Sequence, residues 1–538
     1  MANIHANLDS LFNDIADAIR EKIGDESIIP AVDFPDLIRD RLQVIKKPYL
    51  TFKSPNSFTL AVKDTTKHWN GTLEYSTDTS TWTRWDGTIT LTSAISESSN
   101  VLYLRGTGNT AITGNRYTYC WVLTGTDISC IGNIENLLDY ATVEAGNHPT
   151  MSDYCYYNMF YRCTALTQAP ALPATTLASN CYNSMFSECT ALTQAPALPA
   201  TTLASNCYSG MFYGCTALTK APALPATTLA NYCYSQMFSG CTSLTQAPDL
   251  PATTLANSCY SNMFRNCTTL TQAPALPATT LASQCYSSMF WGCTSLAQAP
   301  YLPATTLADY CYEIMFRGCT SLTQAPELPA TTLANYCYAD MFRGCTALTQ
   351  SPVLPATMLA NYCYSNMFRD CTSLIRASAL PATTLASQCY YSMFWGCTSL
   401  AQAPYLPATT LADYCYMYMF SGCTSLTQAP ALPATTLADN CYSYMFRGCT
   451  ALTQVPALPA TTLAKGCYKH MFNGCTKIKL SSTKTGEYTV AYRIPSSGTG
   501  TTASDAFTDM FTSTGGPFKG TPSINTTYYL SNTNTVVS

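Results

Sequence analysis

At 538 residues the chain is too long for one ordinary hydrophobic core, so its length predicts several domains or a repeat array. Charged residues make up 11% of it against a usual quarter, and a net charge of −4 leaves no clustered basic footprint, which excludes nucleic acid as a partner. No run approaches the ~20 apolar residues of a membrane span, so membrane insertion is excluded too, and Met1 to Asp9 lacks the charged-then-apolar run of a signal peptide.

Residues 1–46 place Leu8, Leu11, Phe12, Ile15, Ile19 and Ile23 at helical spacing, with Gly24 as a stop and Pro35 opening a second helix that carries Leu37, Ile38 and Leu42. A small helical module is expected. Its motif Leu-Phe-Asn-Asp-Ile-Ala-Asp-Ala-Ile-Arg-Glu-Lys-Ile-Gly, Leu11 to Gly24, is similar to the N-terminal segment common on phage tail and tail-fibre proteins. That resemblance implies a virion-attachment module contacting other tail proteins.

Residues 47–118 alternate apolar and polar side chains, as in Phe58-Thr-Leu60-Ala-Val62, with turn signals at Asn70-Gly71 and Asp86-Gly87. The pattern predicts a small antiparallel, β-sandwich-like spacer domain. Residues 119–150 are expected to cap the array that follows, since an uncovered end would expose its core.

From Cys155 to Cys475 the pattern Cys-Tyr-x-x-Met-Phe-x-x-Cys recurs thirteen times with a period of 26. Cys181, Met185 and Cys189 stand at i, i+4 and i+8, and Tyr182 with Phe186 runs parallel, which predicts a two-turn helix. A short strand over Leu192 to Ala195 follows, bounded by Pro196 and Pro199, which cannot donate ladder hydrogen bonds. One strand plus one helix per repeat, stacked so that identical side chains align, gives an α/β repeat solenoid over 151–480. Residues 481–538, rich in Thr, Ser, Gly and Tyr, are expected to form a β-rich C-terminal cap.

The repeat resembles the 26-residue bacterial surface protein repeat and the related BspA-like leucine-rich repeat, whose core Met-Phe-x-Gly-Cys-x-x-Leu-Thr stands here at Met237 to Thr245. The resemblance implies a leucine-rich-repeat solenoid of thirteen coils used for adhesion or partner binding. The chain departs from it in carrying Ala-Pro-Ala-Leu-Pro where the family often has Leu-Asp-Leu.

Two cysteines per repeat account for 26 of the 28. A spacing of eight with one His in the array does not suit zinc. Disulfides within or between coils are geometrically conceivable, and the favoured reading is a small apolar filler in a tightly packed ladder. The recurrent Leu-Pro-Ala-Thr-Thr, first at Leu172 to Thr176, lacks the Gly of a wall-sorting signal and reads as a turn. The four His, at 5, 68, 148 and 470, join no nucleophile, so neither an enzyme, a cofactor nor a bound metal is expected.

The informative columns are those that vary inside the fixed pattern. After Met-Phe come Arg265, Trp291, Arg317, Arg343, Arg369, Trp395 and Arg447; before the first Cys come Tyr232, Tyr310, Tyr336, Tyr362 and Tyr414; after the first Pro come Tyr301 and Tyr405, with Asp249 and Glu327. Columns that accept Ser, Arg and Trp alike are expected to be exposed, and rows of Tyr, Trp and Arg are what recognition hot spots are made of. Ser283–Tyr312 is almost repeated at Ser387–Tyr416, as a duplicated four-coil block.

Together these readings predict a phage tail receptor-binding adhesin. Made in the host cytoplasm and assembled into the virion tail, it would act at the bacterial surface by binding a glycan or protein there. A bacterial cell-surface repeat adhesin and a structural virion spacer are the alternatives, and a homo-oligomer is compatible with the sequence.

Overall fold

The computed structural model describes residues 47–116 and 118–537, so the helical module expected over 1–46 lies outside the described residues. The first strands form two facing sheets. One runs in the order β10 (Leu166–Gln168), β9 (Ile128–Ile131), β1 (Leu50–Ser54), β7 (Ser99–Thr107), β3 (Thr72–Ser76) and β4 (Thr83–Trp85), with β6 (Ala94–Ser96) also on β7. The other is β5 (Leu91–Thr92), β2 (Thr59–Val62) and β8 (Trp121–Thr124). Alternating Phe52, Leu60, Trp85, Leu104 and Trp121 fill the space between, with the Trp85 and Trp121 rings 5.8 Å apart edge to face.

The segment 119–150, expected as a separate cap, shares both sheets with what precedes it: β8 pairs with β2, and β9 with β1. It then seats the first coil. β9 pairs in parallel with β10, the Trp121 amide donates to the Met159 carbonyl at 2.8 Å, and α1 (Asn136–Glu144) closes the corner. It is the one helix among the described residues, and no described helix is long and apolar enough to cross a membrane.

The two-turn helix expected in each repeat is absent, which corrects the α/β reading of the solenoid. In the coil from Cys181, the amides of Tyr182, Ser184, Phe186 and Glu188 donate to the next coil, at Cys207, Ser209, Met211 and Tyr213. Those of Asn183, Met185, Ser187 and Cys189 instead close turns onto the carbonyl three residues back. Every fourth residue is left-handed, with φ of 58° at Asn180, 54° at Ser184 and 59° at Glu188. A chain of four-residue turns therefore produces the i, i+4, i+8 spacing that a helix would. It wins because two helical turns are marginal alone, whereas this backbone sends half its amides across the stack and bonds every coil to the next.

The expected strand contracts in the same way. Gln194 makes one parallel bridge each to Gln168 and Lys220, and Thr202 bridges to Thr176, while the nearby prolines prevent extension.

Inside, identical residues align. The Tyr ladder from Tyr156 to Tyr468 and the Phe ladder beside it repeat at ring spacings of 5.5 to 5.9 Å with nearly parallel planes. Each such contact contributes on the order of 0.5–1.5 kcal/mol beyond area burial. All 28 cysteines are free and buried. Cys163 donates its thiol to the Trp121 carbonyl, and from Cys189 to Cys475 the second of each pair donates to the Phe carbonyl of the preceding coil, as Cys319 does to Phe290 at 3.1 Å. That carbonyl already accepts the Cys293 amide, so the thiol fills its second lone pair.

The ladder outruns the sequence repeat. Phe507 stacks on Tyr468 and Phe511 on Phe472, and Tyr468, His470 and Phe472 donate to Ala506, Thr508 and Met510 as to another coil. A longer insertion disguises it: Ala506 follows Cys467 by 39 residues instead of 26, and Ala and Phe replace Cys and Tyr. Strands β12 (Leu480–Ser481), β14 (Thr527–Ser531) and β13 (Tyr488–Arg493) form a sheet over this end, and β15 (Thr535–Val537) pairs with β11 (Gln454–Pro456).

Candidate recognition face

The turn ladder fixes where outward side chains stand. The left-handed positions fall directly before the first Cys, four residues on and eight residues on, and Gly, Asn, Ser and Asp recur there because they tolerate φ near +60°. Tyr232, Tyr310, Tyr336, Tyr362 and Tyr414 occupy the first of these positions with φ of 56° to 61°. A bulky side chain there costs on the order of 1–2 kcal/mol against the Asn that serves at Asn180, Asn206 and Asn440.

Tyr310, Tyr336 and Tyr362 recover part of that cost by stacking at 4.6 and 4.4 Å, and Gln388 donates to the Tyr362 hydroxyl. Their faces are mutually covered while their edges remain outward. Tyr232 and Tyr414 stand alone and more exposed.

The Arg and Trp column is less open than its tolerance of substitutions suggests. Trp291 lies between the guanidinium groups of Arg265 at 3.8 Å and Arg317 at 5.0 Å. Trp395 lies between Arg369 at 3.9 Å and the Tyr418 ring at 5.3 Å. Both indoles are half-buried, as are Arg265, Arg317, Arg343 and Arg369; Arg447 is the exposed member. Cation–π attraction across a narrow coil spacing folds the column onto itself.

A neighbouring column, four residues after the left-handed Tyr column, escaped the sequence reading. Tyr418, Tyr444 and His470 stack at 4.5 and 4.6 Å and extend the row beyond Trp395. Acids lie in this column at Asp340 and beside it at Glu313 and Asp370. Asp340 pairs with Arg343 at 3.2 Å, and Asp370 lies 3.5 Å from Arg369. Burial, then the nearby Asp340, pushes the Glu313 carboxyl up to about 7, against a weak bond from the Ser287 hydroxyl. Burial also raises the Asp340 carboxyl, outweighing the opposing pull of Arg343. The signal that marks this column is the recurrence of Asn, Ser and Gln at its other members, interrupted by aromatic rings.

Tyr301 and Tyr405 do not join this face. They stand on the extended Pro-x-Leu-Pro strip, each 67% exposed, and neither has a ring contact among the described residues. The three columns therefore make two surfaces, one on the turn ladder, rich in Arg and aromatic rings, and one on the strip, where Tyr301 and Tyr405 share their column with Asp249 and Glu327. Among the described residues no group of three His, Cys, Asp or Glu could hold a metal ion.

The BspA-type leucine-rich repeat model matches residues 153–297, 311–427 and 412–491 in six copies, more than half of the chain. The protein belongs to that family. A crystal structure of a leucine-rich cell surface protein from Faecalibacterium prausnitzii is similar at 16% identity, over 61% of this chain and 82% of that one, with a TM-score of 0.33. No curated protein matches the sequence.

Proposed function

We propose that this leucine-rich-repeat protein is a non-enzymatic recognition module that binds a bacterial surface glycan or protein through its turn-ladder face, carried on a phage tail. The observation that carries the reading is the run of Tyr at left-handed positions. A residue that loses backbone energy where Asn fits, and that leaves its edge outward, is retained for what it touches. Membership of a solenoid family, whose flat coils present long surfaces, supports the same reading. The phage assignment rests on the Leu11–Gly24 motif.

Binding of the labelled full-length chain to a panel of intact bacterial strains tests the reading. Selective binding is expected, and Tyr310→Asn, Tyr336→Asn and Tyr362→Asn together should weaken it about tenfold or more while leaving the fold intact, since hot-spot aromatics carry ~2 kcal/mol or more. Unchanged binding would exclude this face, and binding to no strain would favour the virion spacer. Crosslinks from residues 1–46 to tail proteins in purified virions are expected; crosslinks to a cell envelope would point to the bacterial adhesin instead.

A further inference from the structure

After the first proline of each repeat the chain runs extended, and its burial alternates. Leu302 and Ala304 face the core, whereas Tyr301 and Thr305 face outward on either side of the half-buried Pro303. Parallel bridges such as Thr280 to Thr306 lay successive strips side by side. Beside Tyr301 a shallow groove of about 320 Å³ is lined by Pro274, Ala275, Pro277, Pro300 and Pro303. The duplicated block places Tyr405 likewise between two prolines, Pro404 and Pro407, four coils further on, with Ser378 in the preceding coil where Pro274 stands beside Tyr301.

Among the described residues nothing stacks on these rings. Ala275, Ala379, Ala431 and Val353 occupy the same column, so the coil closes without an aromatic there. Trp291 and Trp395, in the same blocks, have both faces taken, whereas Tyr301 and Tyr405 have both faces clear of other rings. Charge near the two platforms differs, with Glu327 one coil beyond Tyr301 and Arg376 one coil before Gln402, whereas the polar groups the platforms share are uncharged Thr and Gln. Among the described residues the hydroxyls of Thr279, Thr305, Thr383 and Thr409 and the amides of Gln298 and Gln402 make no side-chain hydrogen bond.

We propose that Tyr301 and Tyr405 are two equivalent stacking platforms for one neutral, linear polysaccharide lying along the solenoid. A pyranose ring presents an apolar C–H face that matches an aromatic ring and a hydroxyl edge that needs donors and acceptors; the Tyr–Pro groove supplies the first and the flanking Thr and Gln the second. The lining of the groove carries no charge. Glu327 stands one coil beyond Tyr301 but Ala431 one coil beyond Tyr405, so a carboxylate is not part of what the platforms share. A polymer that spans both makes its second contact intramolecularly and gains avidity that a short oligosaccharide lacks.

The proposal concerns a different face from the turn ladder and stands independently of it. Affinity electrophoresis of the full-length chain through gels containing mannan, dextran or laminarin, with hyaluronate as the anionic comparison, tests it. At least one neutral polymer should retard the protein. Tyr301→Ala and Tyr405→Ala should each weaken retardation about tenfold or more by removing bivalency, and together abolish it. Because Ala is native to the column, loss of the fold does not confuse the result, and Ile95→Ala, at an exposed position in the β domain, should leave retardation unchanged. Retardation by none of the three neutral polymers, by hyaluronate alone, or equally of the double variant would overturn the proposal.

Discussion

The thiols show how a residue's chemistry follows from its place in the ladder. Cysteine is small enough to sit between stacked Met and Phe, and its weak donor completes a carbonyl that an aliphatic side chain would leave half-satisfied. Burial pushes the thiols of Cys259, Cys363 and Cys415 from the ordinary 9.0 up to about 12. In the unfolded chain the same groups ionise near 9, so above that pH the unfolded state releases protons that the folded state retains, and stability falls as pH rises toward 12. The guanidinium midpoint should decline steeply between about pH 8.5 and 10.5. Replacing Cys259, Cys363 and Cys415 together by Ala should lower the midpoint at pH 7 but shallow the decline. A midpoint flat across that range would contradict the burial of the thiols as neutral groups. A thiol reagent at pH 7 should find the native protein inert, and all 28 thiols should react in denaturant without reductant.

At the scale of the element, the unit is a four-residue turn, and its left-handed residue is where substitutions act most strongly. Ile314 occupies such a position with φ of 61°, the poorest choice there because its Cβ is branched. Its column holds Asn at Asn158, Asn262 and Asn366. Ile314→Asn should therefore stabilise the protein by about 1 kcal/mol, read as a raised denaturant midpoint with unchanged slope; a lowered midpoint would show that the packing of the Ile314 side chain outweighs its backbone cost. The same turn explains what the sequence disclosed and what it hid. The period of 26, the inward Cys, Tyr, Met, Phe and Leu, and the family were legible because burial repeats with the coil. The helix was a misreading because spacing records only which residues point inward, and successive turns and a helix both return every fourth one. Of the candidate site, the Tyr column was legible by its variation. The sandwiching of Trp291 and Trp395 was not, since stacking across coils leaves no mark within a coil, and neither was the second aromatic row through Tyr418 and Tyr444.

At the scale of the molecule, a continuous hydrophobic core runs from Leu50 to Leu530, yet each coil bonds only to its neighbours. Such a stack should tolerate changes in the number of its coils and should not tolerate loss of an end. Removing Cys207 to Tyr232 joins Asn206 to Cys233 with every column in register, so the shortened chain should remain folded and monodisperse, with stability reduced by roughly one coil's share. Truncation after Ser481 is expected to behave differently. It strips Phe507 from Tyr468, Phe511 from Phe472 and β15 from β11, exposing a flat ladder end with free amides at Tyr468, His470 and Phe472. An open end of aromatic rings and unpaired donors is a template for further stacking, so this variant should aggregate or assemble end to end where the coil deletion does not. Size-exclusion chromatography with light scattering distinguishes the two. A monodisperse truncated chain would mean that the coil from Cys467 closes the core without its C-terminal partner, and an aggregated deletion variant would mean that the coils are not the independent units their bonding describes.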